Sequence, residues 1–575
     1  MTGHTDRAAD GETEEAGDGD GASTVGAAVV DCLLDHGIDT VFGIPGKQTL
    51  PLNEALADRN ARFVVARHET AVTHAAWGYA ETRDPGEMAA TVVVPGPGDM
   101  NAMNGLKNAL NDCVPMVHVA VETEHEVRGG DGIHETPPDT YDNVVKENVL
   151  VETAESAVAE LTRAIRIARE PPMGPVRVGI PKDFLASATP QASVGEGAYR
   201  TPPEPPAAAV GAAADLLAAA ERPVVLAGGG VRRAGASERL RAFAEALDAP
   251  VVTTYKGKGT LPEDHALSAG VLCGGSSTEL RELLAESDAA LAVGSDLDAV
   301  ATGRWSVELP DDLVHVTLGA DDVGTGYEPA VGIVADADRT LRALTDGIAE
   351  RGGDAEQPGD ERAAAVRTAD AARFDAVAAA RDAADPPTSV EVVRAVREAL
   401  PRDAILTADA GGSRQWTLLA CEAYGPQSYV NPGSWATMGT ALPSAMGAKL
   451  ANPDADAVAL VGDGGLLMCV HELHTLATEG IDVTVVALNN DDYAIISEEA
   501  DRSHGLGPGA YGWADAGLDL TAVAEGMGVD ATHVADVSGI AEALDDARAH
   551  EGPSLVEVTT DPEEPQASEW MTRER

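Results

Sequence analysis

Lysine is scarce in this chain of 575 residues, where only Lys47, Lys107, Lys146, Lys182, Lys256, Lys258 and Lys449 occur. Lysine and arginine together number 40 against 95 aspartates and glutamates, a net charge of −55. So acidic a surface repels the phosphates of nucleic acid and of anionic lipid, which argues against either as a partner. It suits a protein that stays soluble in concentrated salt, where counter-ions screen the self-repulsion, and predicts the cytoplasmic protein of a halophile. Cysteine is also rare. Cys32, Cys113, Cys273, Cys421 and Cys469 are scattered without C-x-x-C spacing, which argues against a disulfide framework or a zinc site and reads as small buried hydrophobes. No apolar run approaches the ~18–20 residues of a membrane span. Residues 1–22 are acidic and Gly-rich. They lack the basic and apolar regions of a signal peptide and read as a disordered, solvating tail.

What is present is a steady alternation of helices and strands. Over residues 23–190, "TVGAAVVDCLLDHG" reads as helix, and "DTVFGIPG", "RFVVAR", "MAATVVVPGPGD", "PMVHVAVE" and "GPVRVGIPKDF" read as strands running into turns. A Pro- and Glu-rich linker follows near residues 187–206. Residues 207–345 restart with "ERPVVLAGGG", "APVVTTYKGKGT", "AALAVGSDLD" and "DLVHVTLGAD". A charged second linker, 346–387, is expected to turn helical in its later part, and residues 388–575 form a last section. This pattern predicts an α/β protein of three doubly wound parallel-sheet domains. The openings of the first and last sections, "STVGAAVVDCLLDHGIDTVFGIPGKQ" and "TSVEVVRAVREALPRDAILTADAGGS", share one layout and suggest two related domains flanking a third.

The stretch "VFGIPGKQTL" looks like half of a phosphate loop. A Walker loop needs G-x-x-x-x-G-K-[ST], but Val41 stands at the first Gly and Gln48 at the hydroxyl position. A strand–turn–helix junction remains, of the kind α/β proteins use for ligands. No G-x-G-x-x-G follows a strand, so NAD is not expected.

The most informative segment is "AVALVGDGGLLMCVHELHTLATEGIDVTVVALNNDDYAII", a βαβ unit. Its first strand ends in Gly462-Asp463-Gly464-Gly465 and its second in Asn489-Asn490. Asp463 and Asn490 therefore sit at the carboxyl ends of two parallel strands joined by one crossover. Oxygen ligands in such a place suit Mg2+, completed by water and phosphate oxygens. The glycines let backbone N–H groups approach a phosphate at the following helix N-terminus.

With G-D-G followed at this distance by N-N, the chain resembles the thiamine-diphosphate enzymes, most of all the acetolactate synthase, benzoylformate decarboxylase and pyruvate decarboxylase group. The resemblance spans nearly the whole folded chain. It implies a pyrimidine-binding domain, a central domain and a diphosphate-binding domain. It implies Mg2+ held by Asp463, Asn490 and the backbone carbonyl of Asp492, with Gly462, Gly464 and Gly465 beside the diphosphate. "ADAGGSRQW" matches the loop touching the diphosphate, implicating Gly411, Gly412 and Ser413. "GSWATMGTALPSAMGA" matches the stretch whose methionine, here Met438, sits beneath the cofactor and bends it. "RFVVARHETAVTHAAWGYAE" places Glu69 where the family keeps one glutamate, whose carboxyl hydrogen-bonds the aminopyrimidine and promotes ylid formation. From the residues alone, Glu69 is a first-turn acid complementing a helix dipole.

"GGDGIHETPPDTYDNV" aligns with a segment whose residue at His134 reaches the active site, where a neutral imidazole relays protons. In "GPGDMNAMNGLKNALNDCVPMV", Asn101 and Asn104 read equally as structural caps or as functional groups. The family's counterpart of the "IPGKQ" turn faces thiazolium and substrate. The residue after its P-G varies with substrate, so Lys47 is a candidate partner for a substrate carboxylate, sulfonate or second acidic group.

Two positions depart from acetolactate synthase. Val300 stands where that family places an arginine, and Glu499 where it places a tryptophan, both serving selection of a second 2-oxo acid. The retained motifs imply addition to a 2-oxo acid and decarboxylation. Carboligation, simple decarboxylation of a benzoylformate or sulfopyruvate type, and a catalytically silent cofactor-binding protein stay open. FAD stays open as well, since the central domain carries it in some members of the family and not in others. The resemblance further implies a homodimer or homotetramer, because the pyrimidine domain of one chain meets the diphosphate domain of another.

Overall fold

A computed structural model describes residues 23–130, 132–189, 201–351, 357–381 and 386–572. The acidic tail 1–22 and parts of both linkers lie outside the described residues.

Three six-stranded parallel sheets organise the chain. The first contains β1 (Thr40–Gly43), β2 (Arg62–Val65), β3 (Ala90–Val93), β4 (Met116–Glu122), β5 (Glu147–Leu150) and β6 (Pro175–Pro181), in the order β2-β1-β3-β4-β6-β5. The second contains β7 (Pro223–Ala227), β8 (Val251–Thr254), β9 (Ser268–Leu272), β10 (Ala289–Val293), β11 (Asp312–Thr317) and β12 (Val331–Val334), in the order β9-β8-β7-β10-β11-β12. The third contains β13 (Ile405–Ala408), β14 (Tyr429–Val430), β15 (Ala457–Gly462), β16 (Thr484–Asn489), β17 (Asp530–Val534) and β18 (Ser554–Thr559), in the order β14-β13-β15-β16-β18-β17.

The strands form because short Val-, Ala- and Leu-rich runs suit a sheet covered by helices on both faces. Accordingly β4, β6, β7, β10 and β16 bury every residue. The first and third sheets share one topology, which agrees with the matching layout of their opening sequences. A short antiparallel pair, Ser23–Thr24 with Ala188–Thr189, ties the two ends of the first section together.

The first and third sheets are not separate bodies. One hydrophobic core contains Val92 and Val119 of the first together with Val461 and Val485 of the third. The helices Glu69–Glu81 and Ala441–Ala451 cross at glycines. A Cβ on Gly78 would lie 2.3 Å from the Ser444 carbonyl oxygen, and one on Gly447 would lie 1.9 Å from that of Ala75. The central sheet has its own core, with Val225, Leu291 and Val314 on one face and Leu226, Ala290 and Leu313 on the other. In the second linker the expected helix is present as Gly359–Ala380, and it is packed rather than free. Its Arg362 donates to the Pro223 carbonyl at 2.7 Å and to Ser287 Oγ at 2.9 Å.

Candidate active site

The carboxyl ends of β15 and β16 carry the first group of candidate residues. Asp463 opens the helix Asp463–Cys469 directly after β15. Its Oδ1 accepts from the Gly464 N–H at 2.7 Å and its Oδ2 from the Asn490 N–H at 3.3 Å. The Asn490 side-chain oxygen accepts in turn from the Asp492 N–H at 3.2 Å. The chain turns sharply between them, with Asp491 at φ 57°. Asp463 and Asn490, 27 residues apart in sequence, are thus drawn into one knot with Asp492.

That knot suits a cation. Burial pushes the Asp463 carboxyl up to about 6, against the pull of the backbone N–H groups of Gly464, Asp491 and Asn490, with the Asp491 charge adding to the rise. Asp491 Oδ1 is buried without a hydrogen-bond partner. Among the described residues no three His, Cys, Asp or Glu side chains are grouped to hold a metal. The expected set has only one carboxylate ligand, with an amide and a carbonyl completing it, as Mg2+ accepts.

A second helix N-terminus opens beside the first. Gly411, at φ 121°, precedes the helix Gly412–Ala420. That φ lies where a side chain is strained, so the turn requires glycine. Ser413 Oγ would be 3.9 Å from a Cβ on Gly462, so the two Gly-containing turns face each other. A Cβ on Gly464 would lie 2.5 Å from the Tyr493 ring. Backbone N–H groups at paired helix starts are the usual means of holding a diphosphate.

Asp409, not singled out from the sequence, links this region to Met438. Its Oδ2 accepts from the Gly439 N–H at 2.9 Å. Its Oδ1 accepts from the Thr440 N–H and hydroxyl at 2.9 and 2.8 Å. A Cβ on Gly465 would sit 2.0 Å from Asp409 Oδ2. This one buried carboxylate therefore fixes the half-buried Met438 loop against the turn that follows Asp463. A carboxylate between a strand end and Gly-Gly, in the stretch "ADAGGS", was the available signal.

The second group lies at the ends of β1, β2 and β3. His68 caps the helix Glu69–Glu81, its Nδ1 accepting from the Thr70 N–H at 3.2 Å. Glu69 follows, half-buried, with Oε2 accepting from Asn101 Nδ2 at 3.0 Å. A Cβ on Gly98 would come within 3.1 Å of Glu69 Oε1. Val94 joins the neighbouring turns, because a Cβ on Gly98 would lie 2.8 Å from its Cγ2 and one on Gly46 would lie 2.2 Å from its Cγ1. The Gly46-Lys47 turn, closed by Thr49 Oγ1 accepting from the Gly46 N–H at 3.0 Å, is thereby held next to the turn that carries Glu69's partners. Lys47 itself is exposed. The His134 backbone, at φ 67°, rests on the same turn, and a Cβ on Gly96 would be 2.5 Å from its carbonyl oxygen. The Glu69 carboxyl, the turn that carries Lys47 and the backbone of His134, itself exposed, thus border the segment 94–98.

Neither Asn101 nor Asn104 is a cap, the caps of their helix being Gly96 and Asp112. Asn101 holds Glu69, whereas Asn104 donates to Thr437 Oγ1 at 3.0 Å and accepts from Trp435 Nε1 at 2.7 Å, tying the helix Pro97–Asn111 to the Met438 loop. Glu472, in the third section, accepts from the backbone N–H groups of Arg67 and His68 at 3.1 and 3.0 Å. It sets the backbone that precedes Glu69. Nothing in the sequence separates Glu472 from other helical glutamates.

Comparison with known proteins shows the family of each domain. Three family models match in chain order: "Thiamine pyrophosphate enzyme, N-terminal TPP binding domain" over residues 23–144, the central domain over 210–344 and the C-terminal TPP binding domain over 409–558. The chain is 31% identical to an acetolactate synthase large subunit of Parasynechococcus marenigrum over 92% of its own length and 86% of the relative's. It is 30% identical to the acetolactate synthase isozyme 1 large subunit of Escherichia coli over 93% and 94%. It is 31% identical to a probable 2-ketoarginine decarboxylase of Pseudomonas aeruginosa over 83% and 84%.

Proposed function

This chain belongs to the thiamine pyrophosphate enzyme family, and on that premise we propose that it is a Mg2+-dependent decarboxylase of a 2-oxo acid. The observation that carries the reading is the knot of Asp463, Asn490 and Asp492 at adjacent strand ends, facing the Gly411–Ser413 turn. Asp463, Asn490 and the Asp492 carbonyl would hold Mg2+. Gly411, Gly412, Ser413, Gly462, Gly464 and Gly465 would line the diphosphate, and Met438 would contact the cofactor. When bound, thiamine diphosphate supplies a carbon nucleophile for the substrate carbonyl and an electron sink for loss of CO2.

The remaining chemistry belongs to the chain. Glu69, oriented by Asn101 and crowded by Gly98, would hold and move a proton at its carboxyl, facing the aminopyrimidine. Lys47 presents an ammonium to the substrate carboxylate or to a second acidic group. His134 delivers a proton to the product side. The contacts of the turn 94–98 with Glu69 and with the backbone at Gly46 and His134 support this reading, since such chemistry depends on positioning.

Exposed apolar side chains flank both groups, Met100 beside Asn101 and Leu467 and Met468 just after the Asp463 turn. A second copy of the chain covering these residues accounts for their exposure, so the assembly we propose is at least a homodimer. No helix among the described residues is long and apolar enough to cross a membrane, which is compatible with a cytoplasmic enzyme.

Carboligation to an acetohydroxy acid is the second reading, favoured by the acetolactate synthase relatives. Against it, Val300 is an exposed apolar residue. Glu499 pairs with Arg502 on the helix Ala494–His504 and offers no aromatic surface to a second substrate. The test is release of CO2 from a panel of 2-oxo acids in concentrated KCl with Mg2+ and thiamine diphosphate, with products separated by chromatography. Aldehydes support decarboxylation and acetohydroxy acids support carboligation. Cofactor binding without CO2 from any substrate would leave a silent cofactor-binding protein as the better reading.

A further inference from the structure

The central sheet has the doubly wound order that receives a dinucleotide at its switch point, between the carboxyl ends of β7 and β10. A cavity of about 380 Å³ lies there, between the central domain and its neighbours. A flavin dinucleotide in that position needs cations or free backbone N–H groups for its diphosphate.

The lining cations are Arg232, Arg233 and Lys256, and all three converge on one carboxylate. Arg232 Nη1 and Arg233 Nη2 lie 2.6 and 2.7 Å from Glu81 Oε2, and Lys256 Nζ lies 2.8 Å from Oε1. Glu81 ends the helix that begins at Glu69 and is 1% exposed. Burial alone would raise its carboxyl, but Arg233, Lys256 and Arg232 pull it down to about 2. Lys256 also contacts Asp112 at 3.0 Å and donates to the Asn431 carbonyl at 3.0 Å, while Arg232 donates to the Tyr429 carbonyl at 2.7 Å. These cations join three domains, and Glu81 and Asp112 balance their charge, while Arg232 Nε and Arg233 Nη2 are buried without a hydrogen-bond partner.

Beside apolar residues such as Met173, Val316 and Leu318, the lining carries several aspartates. Asp296, Asp298, Asp322 and Asp336 face the same space. Burial, together with the charges of Asp298 and Asp322, pushes Asp296 up to about 6. The glycine turn after β7 offers little compensation. The Gly230 N–H donates to the Gly294 carbonyl at 2.7 Å and the Gly228 N–H to the Val293 carbonyl at 2.9 Å. A Cβ on Gly230 would lie 2.7 Å from Gly294 Cα, so the two strand ends are pressed together at the crevice.

We infer that the central cavity is closed to FAD and to other diphosphate-bearing nucleotides, because Glu81 takes up the cations that would hold the diphosphate. The residues present do not fit the flavin, and Glu81 turns the dinucleotide crevice into a joint between domains. The wild-type chain, folded in a fixed KCl concentration, is titrated with FAD and with ADP by equilibrium dialysis. No flavin should co-purify, and neither nucleotide should bind saturably below the millimolar range. Micromolar binding of either overturns the inference.

Glu81→Gln, checked for folding by circular dichroism, should release the cations and tighten ADP and FAD binding at least tenfold. A folded Glu81→Gln with unchanged affinity overturns the role given to Glu81. Should that variant not fold, Asp296→Asn combined with Asp322→Asn removes rim charge without touching the joint. It should leave flavin excluded, since the cations stay occupied, and acquisition of micromolar FAD binding would show that rim charge and not Glu81 closes the site. Retention of thiamine diphosphate is read in the same samples, so a failure of the proposed function would appear separately.

Discussion

Asn101 Nδ2 donates to Glu69 Oε2 at 3.0 Å, so a helix of the "GPGDMN" segment aims the carboxylate that begins the next helix over. Glu69→Gln should retain thiamine diphosphate and lose ~10²–10⁴-fold in kcat, the usual range for loss of a positioned acid or base. Asn101→Ala removes one hydrogen bond to a charged group, about 1.5–3 kcal/mol, and should lower kcat by about tenfold or more with cofactor retained. Full activity in Glu69→Gln would reject the role.

Lys47 stands exposed on a turn braced by Val94 and Thr49. Lys47→Ala should raise KM most for substrates with a second negative charge and least for monoanionic 2-oxo acids. Equal KM changes across the panel, or none, would remove Lys47 from substrate binding.

Ser497 donates to Asp492 Oδ1 at 2.6 Å and accepts from the Tyr511 N–H at 3.0 Å, fixing the loop that carries the proposed carbonyl ligand. Asp463→Asn should abolish Mg2+-dependent retention of thiamine diphosphate. Ser497→Ala should weaken it ~10–100-fold, as expected for a residue that orients a ligand without touching the metal. Isothermal titration with cofactor at fixed Mg2+ measures both, and wild-type affinity in Asp463→Asn would count against the metal site.

His74 is fully buried, neither ring nitrogen has a partner, and burial lowers its pKa to about 3. The folded chain keeps it neutral while the unfolded chain protonates it near 6.5. Stability from this group is therefore complete above that value and falls as pH drops, by ~1.4 kcal/mol per unit, until the folded pKa is reached. His74→Leu should lose this share of the acid sensitivity. Urea unfolding at pH 7 and pH 5 in constant KCl measures it, and parallel pH dependence in both proteins would contradict the assignment.

Gly447 sits where a Cβ would lie 1.9 Å from the Ala75 carbonyl oxygen. Both helices are backbone-close there, so no side chain can swing aside. Gly447→Ala should destabilise by about 1–3 kcal/mol, as overpacking does, and lower the thermal midpoint. An unchanged midpoint would show that the crossing relaxes freely.

The sequence by itself determined the alternation of strands and helices and the turns on which the candidate site residues stand. The order of strands, the Gly-Asp-Gly turn after β15 and the Asn pair after β16 follow from alternation and punctuation, which are short-range properties. Glu69 was legible only through resemblance, because a lone first-turn glutamate has an adequate local explanation.

The tertiary structure decided what connects these pieces. Asp409 binds the Met438 loop to the turn after β15, Val94 gathers the Lys47, Glu69 and His134 segments, and Glu472 reaches across 405 residues to the Arg67 backbone. Glu81 looks like any solvated helix acid in the sequence, yet it is buried among three cations from another domain. Contacts of that kind depend on how sheets and helices stack, and no local pattern encodes which distant charge a buried carboxylate meets.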